Sequence, residues 1–240
     1  MLQRWRAHLA GHPEYLARHY WWAYLSPIGA WLFDHRPIIN MILFGQYTTI
    51  VRETLRRYCA SESGRTLQLA NVYGDLIPTL RECAGERDFH IIDVANIQLQ
   101  AARRKLNGGA LRNREFLARM NAENLAYASN GFDTIVIYFL LHELPIDARQ
   151  RVLCEALRVA RPGGRLIVAE YGTNADDHYL HRSTLFRWLL RTAEPYLGDF
   201  LQQDLTNLLG ECAKAVKKEI KLLAETPIFG GFYRVAEYRI

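Results

Sequence analysis

Several side chains in this sequence that could do chemistry fall at the ends of segments that read as strands. Asp93 closes one apolar run, 19 residues after Gly74. A carboxylate at such a strand end can accept hydrogen bonds from both hydroxyls of a ribose; the same residue could instead cap the next helix. His142 and Glu143 follow the run TIVIYFLL at 134–141. An imidazole titrates near neutrality and could act as a general base. Glu143 and Glu170, the second closing a later strand, offer oxygen ligands for a divalent cation that would polarise a carbonyl. Tyr138 and Tyr171, at or just after the same two runs, complete the catalytic candidates. The plainer alternatives are a structurally satisfied histidine and two loop carboxylates, since no ligand spacing selects these residues for a metal.

The elements that must position these groups follow from the hydrophobic pattern. Strands are expected at 66–70, 89–94, 115–120, 134–141 and 165–170, separated by helices ending near Cys83 and spanning 97–106 and 147–160. The continuous run at 134–141 suits a strand buried on both faces. Arg161, Pro162, Gly163 and Gly164 read as a turn. Strand–helix alternation at this spacing implies a parallel, doubly wound α/β sheet, whose strand C-termini form one ligand-binding edge. Residues 1–60 read as a helical cap and residues 61–240 as the α/β domain, with a polar break at 61–64. Within the cap, Pro27 and Pro37 break the helical pattern, and a longer helix is expected over 39–58. A helical stretch over 185–223 and a terminal strand over 232–240 end the chain.

Bulk properties narrow the class. The chain has 240 residues, half of them hydrophobic, with a net charge of +5, which suits one globular domain with a cap. Arg103, Arg104 and Lys105 and the pair Lys217–Lys218 read as solvated helix faces; no nucleic-acid motif accompanies them. Cysteines at 59, 83, 154 and 212 form no C-x-x-C pair, so reduced cytosolic thiols are expected. Neither a signal peptide nor a spanning helix is expected. The aromatic cap segment, with Tyr20, Trp21, Trp22, Tyr24, Trp31 and Phe33, could admit a lipid tail at a membrane interface or simply pack over the sheet.

Two strings resemble quinone-ring methyltransferases: LRVARPGGRLIVAEY at 157–171 and NAENLAYASNGFD at 121–133. With Asp93, they imply a Rossmann-like class I S-adenosylmethionine (SAM)-dependent methyltransferase fold. The resemblance places Asn121 and Ala122 beside the adenine. It also aligns a glycine-rich loop, of which this chain keeps only Gly74: Gln68 stands at the family's acid, and Ala70 and Val72 at two glycines. Asp75, one residue beyond Gly74, is a candidate to take the acid's place. The segments at 12–47, 67–75 (LQLANVYGD), 138–145 (YFLLHELP) and 229–233 (FGGFY) together resemble the rhodoquinone-biosynthesis RquA family across nearly the whole chain. One departure is Leu144, where that family's pattern has glutamine.

This resemblance implies conversion of ubiquinone to rhodoquinone, with SAM as nitrogen donor and manganese as a requirement. An ammonium has no lone pair, so loss of the acid at position 68 would favour the neutral, nucleophilic amine. The competing expectations are cyclisation of SAM to a small cyclic amino acid, ordinary methylation of a quinone or other aromatic, and a non-catalytic SAM-fold scaffold. The implied partners are a lipophilic small molecule and a membrane surface, in a cytoplasmic protein peripheral to the inner membrane; a homodimer is also allowed, and nucleic acid is not expected.

Overall fold

The computed structural model describes residues 11–60, 64–107, 114–172 and 178–240. Most of the polar break at 61–64 lies outside them. The described residues open with four cap helices: α1 (Leu16–Leu25), α2 (Pro27–Phe33), α3 (Arg36–Ile42) and α4 (Tyr47–Cys59). The expected helix over 39–58 is divided, because Phe44 and Gly45 turn through positive φ between α3 and α4. Ser26 caps α2, and proline occupies the first turn of both α2 and α3, where its missing N–H costs nothing.

α1 is π-helical, and its sequence gives a reason. Tyr15, Tyr20 and Tyr24 recur five and four residues apart. At α-helical pitch, Tyr24 would stand about 180° around the axis from Tyr15. The wider i to i+5 turn keeps all three on one side, and all three hydroxyls reach carboxylates of the α/β domain.

The α/β domain runs β1 (Thr66–Leu69), α5 (Leu76–Ala84), β2 (Phe89–Asp93), α6 (Asn96–Asn107), β3 (Glu115–Arg119), β4 (Phe132–Tyr138), α7 (Ile146–Val159), β5 (Ala160–Tyr171), α8 (Thr184–Ala193), α9 (Leu197–Leu201), α10 (Leu205–Ala215), β6 (Lys221–Ile228) and β7 (Tyr233–Arg239). The sheet order is β3-β2-β1-β4-β5-β7-β6. β1 to β5 are parallel, and β7 pairs antiparallel with both β5 and β6. Strand order reverses between β1 and β4, so a ligand crevice is expected at their C-terminal ends. β4 is buried along its whole length, as its unbroken apolar run implied.

Three expectations need correction. The sheet is mixed rather than wholly parallel. Residues 185–223 are not one helix: three short helices give way to β6, an edge strand whose exposed residues carry little hydrophobic pattern. The turn at 161–164 belongs to a longer β5, in which Gly163 has positive φ. The thiol expectation also changes, because Cys59 at the end of α4 is bonded to Cys83 in α5, fastening the cap to the sheet domain. Among the described residues, no helix is long and apolar enough to cross a membrane.

Candidate functional site

A cavity of about 350 Å³ opens at the C-terminal ends of β1, β2 and β4, beneath the cap. The end of the cavity nearest β1 and β2 is built on the residue after β1. Ala70 has φ of 66°, a left-handed conformation that favours glycine. The loop therefore keeps the backbone course a glycine would give, under strain. This turn lets the Asn71 N–H donate to one Asp93 oxygen at 2.8 Å, while the Ala95 N–H donates to the other at 2.8 Å. Burial pushes the Asp93 carboxyl up to about 6 against these backbone donors. Asn71 donates to Gln98, and Gln98 donates to the Tyr73 hydroxyl and the Tyr24 carbonyl. Tyr73 stacks on Tyr24. Two cavity-lining residues carry buried polar atoms without a protein partner, the Tyr138 hydroxyl and Asn71 Oδ1. Such atoms are costly unless a ligand satisfies them.

The reactive end holds His142 and three carboxylates. The 3₁₀ turn Leu141–Glu143 follows β4, and the buried Arg149 fixes it by donating to the Leu141 and Leu144 carbonyls. Glu170 is fully buried behind this turn, accepting from the Leu141 N–H at 2.6 Å and from His142 Nδ1 at 2.8 Å. His142 Nε2 is left facing Glu194, 3.9 Å away at the end of α8. Burial alone would lower the imidazole, but Glu170, Glu194 and Glu143 together hold it up to about 9. Burial likewise raises the Glu143 and Glu194 carboxyls. The hydroxyl of Tyr24 donates to Glu143, and that of Tyr20 to Glu194 at 3.1 Å.

This arrangement changes two expectations. The surrounding carboxylates favour the protonated imidazole of His142 over a free base, and a cation bound at Nε2 would displace that proton. Glu170 is the histidine's positioning partner, and the groups able to share a cation are His142, Glu143 and Glu194, whose ligand atoms lie within 4.8 Å of one another. One imidazole and two carboxylates suit a divalent transition metal such as manganese. The Glu170–His142 contact is the usual outer support of a metal-binding imidazole. The residues present therefore fit such an ion.

The other sequence candidates divide between the cavity and its supports. Ala70, Val72, Asp93, Tyr138, His142, Glu143 and Tyr171 line the cavity. Gln68 does not: it lies buried under the loop, its amide donating to the Leu69 and Ala70 carbonyls at 3.2 Å each. A carboxylate there would face two carbonyl oxygens, which explains an amide at this position. Gly74 and Asp75 face the cap instead of the ligand. Gly74 donates to Asp34, and a Cβ on it would meet the Tyr47 hydroxyl at 2.1 Å. Asp75 accepts from Tyr47 and pairs with Arg36, so it does not replace the missing acid. Asn121 is turned onto Glu123, and neither it nor Ala122 lines the cavity.

The residues missed in the sequence are Tyr20, Tyr24, Asn71, Tyr73, Gln98 and Glu194. The five-and-four tyrosine spacing was a readable signal for Tyr20 and Tyr24. Glu194 carries none, because a chain reversal far from the strand tips delivers it.

Comparison with known proteins agrees with this geometry. Residues 34–217 match the ubiE/COQ5 methyltransferase family. The ubiquinone/menaquinone biosynthesis C-methyltransferase UbiE of Francisella tularensis subsp. novicida is 28% identical over 174 residues, 69% of this chain and 64% of that protein. UbiE of Pseudoalteromonas translucida is 31% identical over 134 residues, 55% of this chain and 52% of that protein. The chain thus spans less than two thirds of the length of the curated relatives it matches. Among solved structures, PH0226 from Pyrococcus horikoshii aligns with a TM-score of 0.60 at 15% identity, covering 95% of this chain and 99% of that one. The N-methyltransferase NodS from Bradyrhizobium japonicum, in complex with S-adenosyl-L-homocysteine, aligns with a TM-score of 0.52 at 14% identity, covering 99% and 96%. At such identities the likeness establishes the fold, that of class I SAM-dependent methyltransferases.

Proposed function

From the premise that this chain belongs to the ubiE/COQ5 methyltransferase family, we propose that it is a SAM-dependent enzyme acting on the ring of a lipophilic quinone, and that it transfers SAM's amino group rather than its methyl group. The observation that carries this reading is the His142, Glu143 and Glu194 cluster, with His142 buried, in the same cavity as Asp93. Methyl transfer to a ring carbon needs one base, whereas this site groups an imidazole and two carboxylates closely enough to share a cation.

Asp93 keeps lone pairs beyond its two backbone donors and would take the ribose hydroxyls. The loop after β1 brings no carboxylate to the methionine end, since Gln68 is beneath it and Asp75 is held by the cap. That leaves the amine less stabilised as an ammonium. Oriented by Glu170, His142 presents Nε2 to the cavity, where it would ligate a cation as the neutral imidazole or, when protonated, donate a hydrogen bond to a quinone oxygen, but not both at once. In the proposed reaction a ring C–N bond forms as the ring C–OCH₃ bond breaks, and methoxide leaves as methanol with a proton from the amine; the quinone ring then takes two electrons from the Cα–N bond, and water hydrolyses the resulting imine, so that the carbon skeleton of SAM leaves as a 2-oxo acid and the ring amine remains on the hydroquinone. His142, Glu143 and Glu194 would hold a divalent cation such as manganese, which when bound supplies Lewis-acid polarisation of a carbonyl. The apolar walls contributed by Phe33, Ile39, Leu43 and Phe139 exclude water and accept the ring and the start of its tail.

A second reading, ring methylation, is favoured by the family itself. One assay separates the two. The full chain is incubated with SAM, manganese and a short-chain ubiquinone, and the products are read by mass spectrometry. An aminoquinone supports the proposal. A methylated quinone with S-adenosylhomocysteine replaces it with methylation, and methylthioadenosine formed without any quinone replaces it with SAM cyclisation.

A further inference from the structure

We propose that the outer face of α2 and α3 is a docking surface for an anionic lipid bilayer, and that it sets the mouth of the cavity against the membrane. The face is built from side chains that a water-facing helix ordinarily avoids. On α2, Ile28 is 76% exposed and Trp31 64%; on α3, Met41 is 68% exposed and Ile42 47%. Large apolar side chains exposed together on two successive short helices mark a candidate interaction site.

The charges around it select the partner. Between Pro27 and Gly45 the only carboxylate is Asp34. Asp34 is already engaged, by Lys105 at 2.5 Å and by the Gly74 N–H at 2.9 Å. Arg36, between the two helices, pairs with Asp75 at 3.4 Å yet keeps 63% of its side chain exposed. An apolar face with a cationic margin, on a chain of net charge +5, complements an anionic lipid surface. Tryptophan is at home at that boundary. Both helices are seven residues long, so they would lie in the interface and not span it.

The face is continuous with the site. Ile42 belongs to the cavity wall while remaining half exposed, and Trp22 of α1 does the same. Further along α3, Ile39 and Leu43 are buried in that wall. An apolar path therefore runs from the exposed helices to the strand tips. A lipid-borne substrate could follow it without entering water. This use rests on the quinone reading; the docking itself does not.

The test is co-sedimentation of the full chain with phosphatidylcholine–phosphatidylglycerol vesicles, beside an Ile28→Asp/Met41→Asp variant. Both side chains lie outside the cavity and are exposed, so the variant should keep the wild-type circular dichroism and its turnover of a water-soluble short-chain quinone. The wild type should sediment with the vesicles, and the variant's partitioning should fall about tenfold or more. A wild type left in the supernatant, or a variant that sediments equally, overturns the proposal. So does a wild type that is dimeric without vesicles while the variant is monomeric, since the face would then belong to a second copy. Vesicle binding lost in the variant by a chain inactive on every quinone would support the docking face and contradict the enzymatic reading alone.

Discussion

Two residues at the tips of β1 and β2 carry most of the nucleoside end, and each makes a distinct prediction. Asp93 is held up to about 6 by burial, above the ordinary aspartate range. The folded protein therefore binds this proton more tightly than the unfolded chain. Its contribution favours folding at low pH and is lost as pH rises from the ordinary aspartate range through about 6. Ribose hydroxyls donate to the ionised form, so binding has the opposite slope. SAM affinity measured by calorimetry should climb roughly tenfold between about pH 5 and pH 7.5, and Asp93→Asn should flatten that climb. A wild-type profile no steeper than that of the variant would remove Asp93 from the site. Ala70 makes the second prediction, because its φ of 66° is strained. Ala70→Gly relieves about 1–2 kcal/mol of strain and gives back part of it through a looser unfolded chain. The expected net gain is up to about 1 kcal/mol, visible as a higher melting temperature; a lower one would mean the loop is not strained there.

The cap and the sheet domain meet through a small number of strong links. The three tyrosines of the α1 segment reach Glu123, Glu194 and Glu143. α4 is anchored by the buried Arg57, which donates to Thr226 at 2.6 Å and to the Ala224 carbonyl, both in β6, and pairs with Glu53. The Cys59–Cys83 disulfide closes the same junction across 24 residues. A crosslink over a loop of that length is worth about 3 kcal/mol. Cys83→Ser should thus lower unfolding stability by roughly that amount, and a reducing agent should produce the same loss in the wild type but none in the variant. A wild type indifferent to reductant would place the crosslink outside the folding unit.

Much of this was legible in the sequence. Strands buried on both faces, such as β4, announce themselves by unbroken apolar runs, and a carboxylate such as Asp93 at a strand end has few uses. β6 was not legible, because an exposed edge strand has little hydrophobic pattern to read. The roles of Gly74, Asp75 and Gln68 were not legible either. Their types suggested ligand binding, but packing against Tyr47, Asp34 and their own loop carbonyls decides where they face.

For the whole molecule, a seven-stranded mixed sheet sets its strand tips under a helical cap, and the cap closes the site as well as covering it. The α/β half carries the whole reactive cluster, and the cap supplies hydroxyl donors to two of its carboxylates. His142 and Glu143 come from the turn after β4, Glu194 from the far end of α8, and the hydroxyls that orient the two acids from α1. Without the cap, Glu143 and Glu194 would lose their tyrosine donors, while Glu170 would keep the Leu141 N–H and His142. The cap thus completes a site that the sheet domain positions. The source of the nitrogen in the product tests this account most directly. SAM labelled with ¹⁵N in its amino group is supplied with manganese and a short-chain ubiquinone, and the recovered quinone is weighed. The account predicts a ring amine carrying the label, abolished in Glu194→Gln. A methylated quinone with no added nitrogen would contradict it.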